Sequence, residues 1–108
     1  MANDLQNQVN FIADSLTNGT AINAGLDEYG DSQSAFDYLQ DALDIEYIVN
    51  GKGEYLGARV LVAFGGPNIW VDTRRNIVEG AWWSDSATAS FKDNIGLDDA
   101  LSELWACR

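Results

Sequence analysis

The stretch VLVAFGGPNIWVDTRRNIVEGAWW, residues 60–83, contains apolar strands and the turns that join them. Apolar side chains alternate with others along it, which is typical of strands in a sheet with one buried face. Glycine and proline at 65–67 interrupt the first strand, and the four residues 73–76 connect the next two. With an even-numbered connection, one face of this hairpin carries Ile69, Val71, Val78, Gly80 and Trp82, and the other carries Trp70, Asp72, Ile77, Glu79 and Trp83.

Another hairpin is predicted just before this stretch. IEYIV at 45–49 and GARVLVAF at 57–64 flank the glycine-containing connection NGKGE at 50–54. In the second of these strands Val60, Val62 and Phe64 alternate with the side chains of the other face. The apolar positions Val62, Phe64, Ile69, Val71 and Val78 are therefore expected to be buried in the sheet.

Helical spacing marks the two ends of the chain. Apolar residues recur every three or four positions over 3–17, and Asn18-Gly19 ends that helix. Asp31 or Ser32 can cap a second helix, whose apolar row is Phe36, Leu39, Ala42 and Leu43. A short C-terminal helix is expected over 96–106. The fold class is therefore α+β: an antiparallel sheet of about four strands, with an N-terminal pair of helices and the C-terminal helix packed on it.

The length and composition predict one domain, residues 1–108. An acidic helical part covers 1–44, the sheet 45–91 and the last helix 96–106. Hydrophobic residues make up 46% of the chain and Trp, Tyr and Phe together 11%, which excludes a disordered protein. No signal peptide or membrane-spanning run is present, and the cysteine Cys107 has no partner for a disulfide, so we expect a cytoplasmic protein.

Negative charge is concentrated in the first half of the chain. The net charge is −11; residues 1–51 contain nine acidic residues and no Lys or Arg, whereas 52–108 contain eight acidic and six basic residues. Such a charge repels nucleic acid and anionic membranes, so neither is expected as a direct partner. Basic protein surfaces are attracted instead.

Six acidic residues are predicted to form a partner-binding surface. Asp37, Asp41 and Asp44 would form a row along the second helix, spaced about 6 Å apart. Asp27, Glu28 and Asp31, in the loop before it, would extend this row. Because such a row imitates the charges of a nucleic-acid backbone, we expect it to bind the basic groove of a nucleic-acid-binding protein. The alternative is that the acidic surface serves only solubility.

Catalytic and metal-binding chemistry is not indicated. The chain has no histidine, Cys107 lacks an activating base, and no serine has an evident base beside it. A carboxylate pair, Asp72 and Glu79, is the one arrangement left for acid–base catalysis. The loop with Asp27, Glu28 and Asp31 lacks the regular glycine turn of a calcium site. We therefore expect a protein that is not an enzyme and has no cofactor and no metal.

Two tryptophans are candidate interface anchors, Trp70 and Trp83, both expected on the outer face of the sheet. They are the basis of an alternative function, a structural or adaptor module that pairs with itself, as a homodimer, or with another protein through this face. The base-stacking interpretation of these rings is disfavoured because Arg74 and Arg75 are too few for a nucleic-acid reader.

The pattern GGPxIxVDT at 65–73, followed by a strand that ends in WWSD, resembles small acidic proteins carried by phages and conjugative elements. The resemblance covers about residues 56–88. By size, acidity and context such proteins are similar to anti-CRISPR and anti-restriction inhibitors. The resemblance implies an inhibitor of a host defence protein, such as a CRISPR effector or a restriction enzyme, acting in the host cytoplasm.

Overall fold

The computed structural model describes residues 2–19 and 35–107. In these residues the fold is α+β, as predicted, and the sheet is antiparallel with its strands adjacent in chain order. The sheet has five strands where about four were expected. The elements are α1 (Ala2–Asn18), α2 (Ala35–Gln40), β1 (Asp44–Val49), β2 (Tyr55–Ala63), β3 (Asn68–Asp72), β4 (Ile77–Trp82), β5 (Asp85–Ser90) and α3 (Leu97–Ala106).

One face of the sheet, the inner face, carries the hydrophobic core. Strand pairing places Ile45, Val60, Val71, Val78 and Ala89 in one row across all five strands. Helix α1 packs over β4 and β5, and α3 packs over β2. Buried side chains from the helices and from β2 to β5 join one cluster, with β1 contributing partly buried residues. The opposite, outer face has no helix packed on it in the described residues, as is common for antiparallel sheets.

Gly80 allows α1 to approach the sheet closely. A Cβ atom at this position would lie 2.8 Å from both Leu5 Cδ1 and Val9 Cγ2. Both of these leucine and valine side chains are fully buried, so they have little space in which to move away. The predicted face with Ile69, Val71, Val78 and Gly80 is thereby confirmed as the buried one.

The VDT part of the motif fixes the turn between β3 and β4. Asp72 accepts hydrogen bonds from the backbone N–H groups of Arg74 and Arg75, at 2.9 and 3.0 Å. The Thr73 hydroxyl accepts a hydrogen bond from the Ala58 N–H at 2.9 Å, and the Thr73 N–H donates to the Ala58 carbonyl. Asp72 and Thr73 are the buried polar residues of the described part of the chain. Asp72 and Thr73 of the motif therefore serve to hold the β3–β4 turn in place against β2.

The second helix is shorter than predicted. It ends at Gln40, because the N–H groups of Asp41 and Ala42 donate to carbonyls three residues back and tighten the turn. The Leu43 N–H then donates to the Leu61 carbonyl at 2.9 Å, which brings the chain into the sheet. The prediction that the helical part extends to residue 44 is wrong, since Asp44 begins β1. Its possible caps, Asp31 and Ser32, lie outside the described residues.

Two of the expected apolar row positions on this helix are not buried. Leu39 is buried and Ala42 is partly buried, whereas Phe36 and Leu43 are exposed. The apolar spacing is helical through Leu43, but the backbone leaves the helix three residues earlier. Leu43 therefore points away from the core.

The sheet also differs from the prediction near two strand ends. A bulge between Leu61 and Ala63 shifts the register of β2, and Phe64 follows the end of that strand with 73% of its surface exposed. The expectation that Phe64 is buried is wrong, while Val62 packs partly buried against the core. The fifth strand, β5, has the sequence DSATAS, in which alanine alternates with polar residues.

The first and last helices, α1 and α3, have nearly the bounds that the sequence predicts. Helix α1 ends before Gly19, which has a φ of 85°, and α3 occupies nearly the predicted range. Asp93 accepts hydrogen bonds from the N–H groups of Leu97 and Asp98 at 2.7 and 2.8 Å, which stabilises the start of α3. Among the described helices, none is both long and apolar enough to cross a membrane.

Candidate protein-binding surfaces

The acidic residues predicted as a row on one helix are arranged differently. Asp37 is half-buried in α2, Asp41 is exposed in the turn after it, and Asp44 is exposed at the start of β1. One oxygen of Asp44 accepts a hydrogen bond from the Ile45 N–H at 2.9 Å. The structure thus places Asp41 and Asp44 at exposed positions between the end of α2 and the start of β1. Asp27, Glu28 and Asp31 lie outside the described residues.

Trp70 lies on the outer face, as predicted, but it is not a free ring. The Arg59 guanidinium lies over it, 4.6 Å from the ring centroid. Arg59 also forms ion pairs with Glu46 at 3.5 Å and Glu79 at 3.7 Å. Such an arrangement holds the guanidinium over the ring face and limits access to it. A shallow groove of about 350 Å³ beside Trp70 is lined by Arg59, Glu79 and polar side chains of β5.

The Nε atom of Arg59 is the buried side-chain polar atom without a hydrogen-bond partner in the described part of the chain. Because the atom itself has no solvent contact, a molecule in the groove cannot reach it without moving the guanidinium. This orphan N–H therefore does not identify a binding site for a ligand.

The carboxylate pair Asp72 and Glu79 is held by Arg75. The Arg75 Nε donates to Asp72 at 2.9 Å, and its Nη2 donates to Glu79 at 2.6 Å. Burial alone would raise the pKa of Asp72, but the hydrogen bonds from Arg75 and Arg74 outweigh it and lower that pKa. A carboxylate with a lowered pKa that is bound on both oxygens is a poor proton donor or acceptor near neutral pH. The pair is best explained as a structural ion network.

The prediction that Trp83 lies on the outer face of β4 is wrong. Trp83 lies in the two-residue turn between Trp82 and Asp85, with 92% of its surface exposed and a φ of 59°. Positive φ is unfavourable for a bulky side chain, so this is a position where glycine would normally be found. Trp82, its neighbour, packs partly buried against the core. The adjacent tryptophans therefore have different environments because the chain turns between them.

Three large exposed apolar residues lie at one end of the sheet. Because the strands alternate in direction, the start of β1, the end of β2 and the turn between β4 and β5 all meet at this end. Leu43 is 59% exposed there, Phe64 73% and Trp83 92%. Strands lie about 4.8 Å apart, so these side chains spread over roughly 15–20 Å. We call this the apolar end, defined by Leu43, Phe64 and Trp83.

The described basic residues lie away from the apolar end of the sheet. The apolar end has exposed carboxylates at Asp41, Asp44 and Asp85, and none of the basic residues that the structure describes. At the other end, Phe91 is joined to Asn76 by a backbone hydrogen bond, which places the chain after β5 beside the β3–β4 turn. We call this the basic end, defined by Lys52, Arg74, Arg75 and Lys92. Arg59 lies between the two, on the outer face.

Sequence reasoning missed two members of the apolar end. Phe64 was assigned to the core because it continues the alternation of β2, and Leu43 because it continues the helical spacing of α2. A signal was present in each case: Gly65 follows Phe64, and Asp44 follows Leu43 in front of a β-branched strand. Turn residues next to an apolar side chain mark where a repeating pattern ends.

In the described ranges, 2–19 and 35–107, no group of three or more acidic or cysteine side chains is arranged to hold a metal. Comparisons of this chain with protein families, characterised proteins and solved structures found no match. The resemblance to phage and conjugative-element proteins therefore stays a prediction.

Proposed function

We propose that this protein is a non-catalytic inhibitor that binds a basic, nucleic-acid-binding surface of another protein. The observation that carries the proposal is the charge arrangement at the apolar end. Exposed carboxylates lie there beside exposed apolar side chains, and the described basic residues are all elsewhere. Like charges that are not compensated raise the cost of folding slightly, and a basic partner would relieve that cost on binding.

The partner class follows from charge and from the resemblance together. A surface with net negative charge is repelled by nucleic acid and attracted to the basic grooves that hold it. The resemblance to phage and conjugative-element proteins makes a CRISPR effector or a restriction enzyme in the host cytoplasm the favoured partner. The binding residues in this proposal are Asp41 and Asp44, with Asp37 contributing charge; Asp27, Glu28 and Asp31, which lie outside the described residues, add three further negative charges.

A pair of matched variants tests whether position or total charge matters. Asp41→Asn with Asp44→Asn removes two charges from the apolar end, and the asparagine introduced at position 44 keeps an oxygen for the Ile45 N–H. Asp14→Asn with Glu103→Gln removes two exposed charges elsewhere. Both variants have the same net charge, so any difference between them reports on location.

The measurement is displacement of labelled duplex DNA from purified CRISPR effectors and restriction enzymes. We expect the wild-type protein to displace the DNA, the first variant to be weaker by about tenfold, which is about 1.4 kcal/mol, and the second to match the wild type. Added salt should weaken displacement, since the Debye length falls from about 10 Å at 0.1 M to about 3 Å at 1 M. If DNA and this protein bind a target together, occlusion of the groove is wrong.

The adaptor alternative has one specific observation in its favour. Trp83 is almost fully exposed, as an anchor residue for another protein would be. The sheet face with Trp70 is less suitable, because Arg59 already covers the ring. An adaptor would bind its partner at high salt, whereas the inhibitor would not, so the salt series separates the two functions.

A further inference from the structure

Seven large apolar residues of the described chain are exposed, and the three most exposed of those on or beside the sheet lie at the apolar end. Val49 and Leu56, at the other end of the sheet, are less exposed, at 39% and 37%. Leu43, Phe64 and Trp83 belong to three separate connections of the chain and meet at the apolar end. Single exposed apolar side chains need no explanation, but several at one place mark an interaction surface. Phe11, on the solvent side of α1, is a single one with the same 73% exposure as Phe64.

Backbone geometry adds an independent observation at the same place. Trp83 has a φ of 59°, which favours glycine over a bulky side chain, and the ring contributes little to the core because it is 92% exposed. A tryptophan at such a position weakens the turn and adds little to the packing. Strained residues cluster at functional sites in proteins. Asn76, with a φ of 55°, is the other non-glycine residue with positive φ in the described chain, and asparagine tolerates that conformation better than tryptophan does.

We infer that the apolar end is a docking surface for a protein segment that presents an apolar face flanked by Lys or Arg side chains. Trp83 and Phe64 would supply the apolar contact, since aromatic residues dominate the buried centres of interfaces. Asp41, Asp44 and Asp85 surround them and are opposite in sign to the flanking cations. The inference rests on the proposed function for the sign of the partner's charge, and it adds which side chains make the contact.

A second copy of this chain fits the surface poorly. A two-fold contact through the apolar end would place Asp41, Asp44 and Asp85 of one copy against the same residues of the other. No basic residue that the structure describes belongs to this end to neutralise them. Like-charge juxtaposition at an interface is unfavourable, so the sign of the charge selects a basic partner.

Three synthetic peptides of equal length probe the surface by titration calorimetry with the full chain. One is an amphipathic helix of Lys and Leu, the second replaces Leu by Ser, and the third replaces Lys by Glu. The Lys/Leu peptide should bind, and the other two should bind more weakly by about tenfold or more, because each lacks one of the two required features. Equal binding of the Lys/Leu and Glu/Leu peptides would contradict the inference.

Matched variants locate the contact. Phe64→Ser and Trp83→Gly should each weaken binding of the Lys/Leu peptide by about tenfold, and Phe11→Ser should change it by less than about twofold. An equal loss from Phe11→Ser would show that any exposed aromatic suffices and would overturn the inference. A dimer in sedimentation velocity that Phe64→Ser abolishes would also overturn it, in favour of a second copy.

The outcomes separate this inference from the proposed function. If the Lys/Ser peptide binds as well as the Lys/Leu peptide, the acidic surface alone accounts for binding; the docking surface is then wrong and groove occlusion stands. If the Lys/Leu peptide binds through Phe64 and Trp83 but DNA is never displaced from an effector, groove occlusion is wrong and the docking surface stands.

Discussion

The two ends of the sheet are built from different kinds of turn. At the basic end the β3–β4 turn is fixed by two buried polar side chains. Asp72 accepts hydrogen bonds from N–H groups within the turn, and Thr73 joins the turn to β2. At the apolar end the β4–β5 turn has an exposed tryptophan with positive φ. The first end therefore has buried, hydrogen-bonded side chains, and the second has side chains that are largely exposed to solvent. We expect the first to stabilise the fold and the second to contribute little to it. Variants at the basic end should accordingly change the free energy of unfolding, and variants at the apolar end should change the binding of a partner.

Removing the Asp72 carboxylate should have the largest effect on stability. Asp72→Ala leaves the N–H groups of Arg74 and Arg75 without their acceptor and the Arg75 guanidinium without one partner. Because the carboxylate is buried and charged, we expect a loss of about 2–4 kcal/mol in the free energy of unfolding, measured by urea denaturation. Asp85→Ala, at the apolar end, should change it by less than about 0.5 kcal/mol. Equal effects would remove the distinction between the ends.

Glycine substitutions sharpen the same comparison. A Cβ at Gly57 would lie 2.6 Å from the Arg74 Cβ and 2.9 Å from its Cα, so the turn at the basic end would have to move. We expect Gly57→Ala to destabilise the protein by about 1–3 kcal/mol. Gly66→Ala, in the β2–β3 connection at the apolar end, meets no atom within 4 Å and should be close to neutral in thermal unfolding.

The lowered pKa of Asp72 predicts how stability depends on pH. A carboxylate whose pKa is lower in the folded state binds protons more weakly there, so its contribution to stability is complete above the unfolded pKa of about 3.9. That contribution is lost as the pH falls through the folded pKa. The difference in unfolding free energy between wild type and Asp72→Asn should therefore be constant above about pH 5 and shrink below about pH 4.

A carboxylate at the apolar end, Asp85, provides the control for the Asp72→Asn variant. Asp85→Asn removes an exposed carboxylate that has no buried partner to lose among the described residues, and this variant should differ from the wild type by less than about 0.5 kcal/mol at neutral pH. A difference for Asp72→Asn that grows as the pH falls would contradict the assignment of its pKa. Unfolding curves recorded in urea at a series of pH values provide both measurements.

Much of the fold was predictable from sequence because the relevant signals are local. Helix α1 combines an apolar period with Gly19 after its last residue, helix α3 combines one with Gly96 before its first residue, and β3 and β4 are joined by a short polar turn. The buried face with Ile69, Val71 and Val78 followed from the even-numbered connection at 73–76. In these elements the conformational preference of the residues, the apolar pattern and the packing in the core all favour the same structure.

The features that were missed depend on contacts between distant segments. Strand β5 has alanine where a typical strand has large apolar residues, because α1 packs closely over it and leaves room for small side chains only. Leu43 leaves the helical pattern because its N–H pairs with the carbonyl of Leu61, far along the chain on β2. Asp44 indicates that the helical pattern stops near Leu43, but the sequence does not indicate which distant carbonyl the Leu43 N–H pairs with.

The candidate site was predictable in its charge but not in its geometry. The absence of Lys and Arg before residue 52 indicated an acidic surface, and the structure places Asp41 and Asp44 at exposed positions between α2 and β1. That Phe64 and Trp83 meet at the same end follows from the order and direction of five strands. The predicted sheet of about four strands lacks β5, so it did not show that Trp83 lies in a turn at the same end as Phe64.

Trp83→Gly tests the central claim most directly, that the apolar end serves binding and not the fold. The variant should keep or gain stability by up to about 1 kcal/mol, because glycine relieves a backbone strain of about 1–3 kcal/mol at the cost of some chain entropy. The same sample should bind the Lys/Leu peptide about tenfold more weakly. A large loss of stability with unchanged peptide binding would contradict the claim and place Trp83 among the residues that hold the fold together.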